Sequence, residues 1–124
     1  MKKLAITRIE PNGPQNIGLQ DINAESKEIA VAGEKFETGY NYFTDASGQF
    51  TAGVWECTPC TLLMDNYPVD EVCYLLNGIV KISDREGNTE IFHSGDCFAI
   101  PKGFYGTWEN VETSRKYYVI FEKK

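Results

Sequence analysis

Tyr67–Asn110 reads YPVDEVCYLLNGIVKISDREGNTEIFHSGDCFAIPKGFYGTWEN, and this stretch decides the fold of the chain. Glu71 to Leu76 is a nearly continuous apolar run, which predicts a strand buried on both faces. Asn77-Gly78 follows at once, and this dipeptide is the strongest short hairpin signal in the chain. Ile79 to Ser83 returns, with Lys81 and Ser83 alternating against Val80 and Ile82. Asp84 to Asn88 is a hairpin loop, Thr89 to His93 comes back, and Ser94-Gly95-Asp96 turns the chain into Cys97-Phe98-Ala99-Ile100. Pro101-Lys102-Gly103 is a corner, because proline cannot donate to a strand ladder. Glu71 stands apart as the carboxylate that opens the apolar run. It must face a polar pocket, or its burial costs several kcal/mol.

Outward from this stretch the pattern continues. Tyr40 to Thr44, Phe50 to Cys57 and Thr61 to Met64 read as strands before it, and Phe104 to Glu109 and Lys116 to Glu122 as strands towards the C-terminus. Asp45-Ala46-Ser47-Gly48 is a turn cluster, and Cys57-Thr58-Pro59-Cys60 bends the chain. Residues 1–35 are less legible. Ala5 to Ile9 alternates as one strand, Pro11-Asn12-Gly13-Pro14 is a turn, and Glu28 to Val31 is a short strand ended by Gly33. This segment is expected to lie across the barrel or against a partner subunit, with residues 36–124 forming the barrel. About nine or ten strands at intervals of roughly 8–12 residues, with no sustained 3.6-residue period, read as an all-β sandwich or barrel.

The bulk properties narrow the function. A chain of 124 residues is one domain by size. Its net charge of −6 and scattered lysines argue against a phosphate backbone as partner. No apolar run reaches the about 18 residues of a membrane span. The N-terminus MKKLAITRIEPNG lacks the apolar core of a secretory signal, so a cytoplasmic protein is expected. Its four cysteines, Cys57, Cys60, Cys73 and Cys97, are then expected to be reduced.

The central stretch resembles the cupin superfamily. Glu71, Tyr74, Leu75, Leu76 and Gly78 match the end of its first signature, and Gly95, Asp96, Pro101, Gly103 and Asn110 match its second. Gly53-Val54-Trp55-Glu56, Asp70-Glu71, Gly103-Phe104, Gly106-Thr107-Trp108-Glu109 and Arg115-Lys116-Tyr117-Tyr118 resemble the small single-domain branch similar to the cupin domain of ureidoglycine aminohydrolase. The likeness covers roughly residues 38–122, and its motifs are specific as a set. It implies a jelly-roll β-barrel (a double-stranded β-helix) around an inner pocket, usually paired as a homodimer. Metal-binding cupins use three histidines and the glutamate. Here the histidine positions hold Met64, Asn66 and Gly106, and only Glu71 remains. A thioether, an amide and a glycine do not replace imidazoles, so neither metal nor other cofactor is expected.

Candidate site residues follow. Glu71 is either a general acid or base in an apolar pocket or a carboxylate hydrogen-bonded to tyrosines and backbone. Trp55, Asn66, Tyr74, Gly106 and Trp108 join it as candidate ligand-binding residues, although aromatic side chains equally serve as core. Gly106 and Trp108 are two residues apart, so a regular strand puts them on one face and leaves room beside the indole. Cys57-Thr58-Pro59-Cys60 is either a redox or metal dithiol or a turn with two small apolar residues; lying between strands rather than at a helix N-terminus, it favours the turn. The single histidine, His93, lies off every ligand position. Lys116 and Glu109 are expected on neighbouring strands as an ion pair. The favoured function is a metal-free barrel binding a small polar or carboxylated metabolite, with acid/base activity at Glu71. Alternatives are a metal-dependent hydrolase of the ureidoglycine aminohydrolase type and a noncatalytic accessory dimer.

Overall fold

The structure, a computed structural model, describes residues 5–124. Strand formation follows the turn chemistry of the sequence. β6 (Asp70–Asn77) and β7 (Ile79–Asp84) meet at Gly78, whose φ is 100°. A Cβ there would lie 2.3 Å from the Ser114 hydroxyl and 2.6 Å from the Thr113 carbonyl, so glycine is required for conformation and for space. β8 (Thr89–His93) and β9 (Cys97–Ile100) follow at the predicted turns. The remaining strands are β1 (Gln20–Asp21), β2 (Ile29–Gly33), β3 (Glu37–Thr44), β4 (Phe50–Cys57), β5 (Cys60–Met64), β10 (Gly106–Asn110) and β11 (Ser114–Phe121).

They form two antiparallel sheets, β1-β3-β4-β11-β6-β9 and β2-β5-β10-β7-β8, packed face to face as the jelly roll expected from the sequence. Ile79–Asp84 pairs with both Thr89–His93 and Gly106–Asn110. Cys57, Cys60, Leu62, Cys73, Leu75, Val80, Ile100 and Trp108 form the core between the sheets. Each fully buried Leu or Val contributes about 1.5–3 kcal/mol. Where the edge strands β8 and β9 approach, Phe92 and Phe98 stack with ring centroids 3.9 Å apart. No helix among the described residues is long and apolar enough to cross a membrane.

Two expectations are corrected here. Ala5 to Ile9 is exposed and forms no strand; the N-terminal pairing comes instead from β1 against β3 and β2 against β5. Lys2-Lys3 lies outside the described residues. β6 is not buried on both faces. Glu71, Cys73 and Leu75 point inward, while Val72 and Tyr74 are 43% and 42% exposed on the outer face. An apolar outer face disguised an alternating strand as a continuous apolar run.

Candidate functional site

Alternation on β6 and β11 puts Glu71, Cys73 and Leu75 on the inner face of their sheet, beside Ile120, Tyr118 and Lys116 in turn. Register pairs Glu71 with Ile120 and Leu75 with Lys116. Glu71 and Lys116 therefore start about 13 Å apart along the strands, at about 3.3 Å per residue. Both side chains extend along the barrel axis past Cys73 and meet, the Lys116 ammonium donating to Glu71 Oε2 at 2.8 Å. The Tyr67 hydroxyl donates to the other oxygen, Oε1. Glu71 and Lys116 are 3% and 7% exposed, so this is a buried charge pair with a third hydrogen-bonding member.

Two indoles hold the lysine. Its Nζ lies 4.5 Å from the Trp55 ring centroid and 4.4 Å from that of Trp108. The two rings meet edge to face, 5.8 Å apart at 89°. Desolvated cation–π contacts of this kind are worth about 2 kcal/mol each. The indole N–H groups are anchored behind: Trp55 Nε1 donates to Glu37 Oε1 at 3.0 Å, and Trp108 Nε1 to Asn110 Oδ1 at 2.9 Å. Glu37 is itself buried and paired with Lys35 at 3.4 Å.

The pair opens on a cavity of about 280 Å³, walled by Trp55, Leu62, Met64, Trp108 and Ile120. Glu28, Asn41 and Tyr118 add polar groups, and the Tyr118 hydroxyl donates to Asn41 Oδ1 at 2.9 Å. Burial works against the charge on Lys116, but Cys73 and Glu71 beside it hold its proton more firmly than in an ordinary lysine. Burial pushes the Cys73 thiol up to about 12. Burial and then Glu71 raise Tyr67 and keep its phenol a hydrogen-bond donor. Burial lifts Tyr118 to about 12. Burial also raises Glu28, with Lys116 opposing and Glu37 and Glu71 adding to the rise.

Of the candidate residues, Trp55, Glu71 and Trp108 converge on this cavity. Asn66 sits in an exposed turn at φ 52°. Tyr74 points outward and stacks on Tyr117, with centroids 6.3 Å apart. Gly106 lies on a separate groove beside Arg85 and Tyr105. A Cβ at Gly106 would fall 2.0 Å from the Ser83 carbonyl oxygen, so this glycine permits the close approach of β7 rather than opening room beside Trp108. Lys116 pairs with Glu71 and not with Glu109, which lies on the opposite sheet across from Lys81 and Thr61. Cys57 and Cys60 are buried free thiols with sulfurs 3.6 Å apart. Burial and the neighbouring Cys60 push the Cys57 thiol up, away from the nucleophilic thiolate. His93 is exposed on β8. Sequence reasoning missed Lys116 as the partner of Glu71, together with Tyr67, Tyr118 and Glu28. Lys116 carried the same signal as Glu71, a lone charge in an apolar strand, KYYVIF.

The donors do not fit a divalent metal. Both Glu71 oxygens are engaged by Tyr67 and Lys116, and an ammonium stands beside them. Met64 offers a thioether to the cavity, while Asn66 and Gly106 lie elsewhere. Among the described residues, no three His, Cys, Asp or Glu side chains cluster as ligands.

No curated protein matches the chain. Solved structures do. A Pseudomonas syringae pv. tomato protein of unknown function matches 82% of this chain at 23% identity and TM-score 0.72, over 43% of its own length. The EutQ protein of Clostridium difficile matches 73% of this chain at 23% identity and TM-score 0.63, over 66% of its length. A structure described as ethanolamine utilization protein Q from Salmonella typhimurium matches 86% at 18% identity and TM-score 0.63, over 98% of its length. The chain thus spans less than half of the first protein and just under two thirds of the second. At these identities the likeness is one of fold. The model of the EutQ-like cupin domain matches residues 44–118, more than half of the sequence, and the chain belongs to that cupin family.

Proposed function

We propose that this cupin binds a small polar metabolite in the cavity beside Glu71, whose carboxylate is matched by Lys116 and not by a metal. The observation that carries this reading is the Glu71–Lys116 pair, buried yet opening on a cavity of about 280 Å³. Two charges taken out of water cost several kcal/mol each, and well-packed apolar residues of similar volume often serve stability as well or better. A pair placed against a cavity has a use that a packed core does not. The volume lies just below the about 300–1,000 Å³ of pockets for drug-sized molecules, and its mainly apolar walls with a few convergent polar groups suit a small ligand.

Chemistry at Glu71 belongs to the same reading. Its carboxylate accepts from a phenol and an ammonium that both hold their protons firmly. A ligand that displaced either donor would gain a buried base. Hydrolysis of the ureidoglycine aminohydrolase type is less well supported, because it would need a metal that these donors do not suit. The accessory-dimer reading draws support from the exposed apolar row Phe50, Val72, Tyr74 and Phe121 on the outer sheet face. The four free thiols suit a reducing compartment such as the cytoplasm.

The test is protein-observed NMR against a library of small metabolites, following the two tryptophan indole signals. Binding is expected to shift both and to disappear in Glu71→Gln and Trp108→Ala. Ligands that bind equally well to folded Glu71→Gln would place the site elsewhere.

A further inference from the structure

We infer that this cavity selects a small amine, protonated at neutral pH, and that Glu28 is the residue that reads its charge. The inference rests on the binding reading above and names the ligand class. Three charged side chains line the cavity: Glu28, Glu71 and Lys116. Lys116 is already matched, at 2.8 Å from Glu71 and between two indole rings. The Tyr67 hydroxyl takes the other Glu71 oxygen. That leaves Glu28 as the carboxylate over. Among the described residues no side chain donates to it. The nearby Lys35 ammonium goes to the Glu28 backbone carbonyl at 2.8 Å and to the Glu37 carboxylate at 3.4 Å. The Glu28 backbone is held in place by these contacts and by its N–H donating to the Ser26 hydroxyl at 3.1 Å, while its side chain faces the cavity free.

With Glu28 ionised the walls carry one negative charge more than Lys116 balances, and the ligand that matches it is a monocation. An ammonium brings donors to an acceptor-only group and forms a charge-assisted hydrogen bond there. The carbon skeleton then lies along Leu62, Met64 and Ile120. A carboxylate ligand fares worse. It would meet two carboxylates and one ammonium whose charge is already shared with Glu71. Burial makes Glu28 hard to ionise without a partner, and an arriving cation relieves that cost.

Cyclohexylamine, cyclohexanol and cyclohexanecarboxylate test this with one skeleton and three charges. Each is titrated into the wild-type protein and into Glu28→Gln, following the indole N–H resonances of Trp55 and Trp108. Cyclohexylamine is expected to bind about tenfold tighter than cyclohexanecarboxylate, the weight of one charge-assisted hydrogen bond. Glu28→Gln is expected to remove that preference. A carboxylate that binds as tightly as the amine, or an amine affinity untouched by Glu28→Gln, overturns the assignment of charge and leaves the cavity reading standing. If none of the three moves either indole resonance, the amine assignment falls, and the cavity reading is decided by the metabolite library.

Discussion

The inner and outer faces of β6 and β11 depart from the usual arrangement of a half-buried sheet, with charges among the inner apolar residues and apolar rows outside. Inside, the two strands carry Glu71, Lys116 and Tyr118. Outside, they carry Val72 opposite Val119 and Tyr74 opposite Tyr117. Antiparallel sheets ordinarily put apolar residues towards the core and polar ones towards water. Each face of this pair therefore incurs a cost that folding alone does not require. The inner face desolvates a charge pair, and the outer one leaves apolar rows wet. The two faces differ in what surrounds them: the inner one borders a cavity, where we propose a ligand, and the outer one is exposed.

The largest effect should come from splitting the inner pair. Lys116→Met leaves Glu71 buried without its cation and should cost about 3–5 kcal/mol in chemical denaturation. Glu71→Gln combined with Lys116→Met should recover most of that loss, because no unmatched charge remains. A single variant as stable as the wild type would mean that the pair is not buried in solution.

Alkaline titration probes the same face without mutation. Lys116, Tyr67, Cys73 and Tyr118 all bind their protons more tightly in the folded state. Groups whose folded pKa is raised contribute stability that is complete below the unfolded pKa and is lost as pH rises through the folded one. The earliest unfolded value is about 8.5, for cysteine. The denaturation midpoint should hold to about pH 8 and fall progressively from about pH 8.5 towards 12. Cys73→Ala should remove part of the earliest fall, and Cys57, whose thiol burial also raises, carries the rest. A midpoint that rises with alkali would invert the sign and contradict the geometry.

Tyr67→Phe removes one donor from Glu71 and should cost about 1–3 kcal/mol, the penalty for an acceptor left short inside. The outer face should respond least in stability. Val72→Lys changes an exposed strand position and should move the folding free energy by no more than about 0.5 kcal/mol. It should nonetheless dissociate a dimer formed through that face, as read by sedimentation. A chain that is monomeric before the substitution would remove self-association as the reason for the apolar rows.

Much of the candidate site was legible one residue at a time. Glu71 announced itself as a carboxylate in an apolar strand, and Lys116 in KYYVIF carried the same mark. Their meeting was not legible. Register sets Glu71 opposite Ile120, and only two long side chains extended past Cys73 close the gap. Gly106 misled for a related reason. Spacing placed it beside Trp108, but the Ser83 carbonyl of another strand occupies the space that a side chain would need. The β6 run misled because its outer face is apolar too, which erases the alternation that marks a half-exposed strand.

Turn residues and strand spacing are local properties, and they determined the all-β character and the hairpin at Gly78; the jelly roll and the want of three ligand histidines were implied by the resemblance to cupins. Only the tertiary structure decided which side chains share the interior. Lys116 is 45 residues from Glu71 in the chain, and Glu28 enters from a segment whose strand pairs with the other sheet. A charge balance inside a barrel is a sum over strands brought together by packing, and no single stretch of sequence contains that sum.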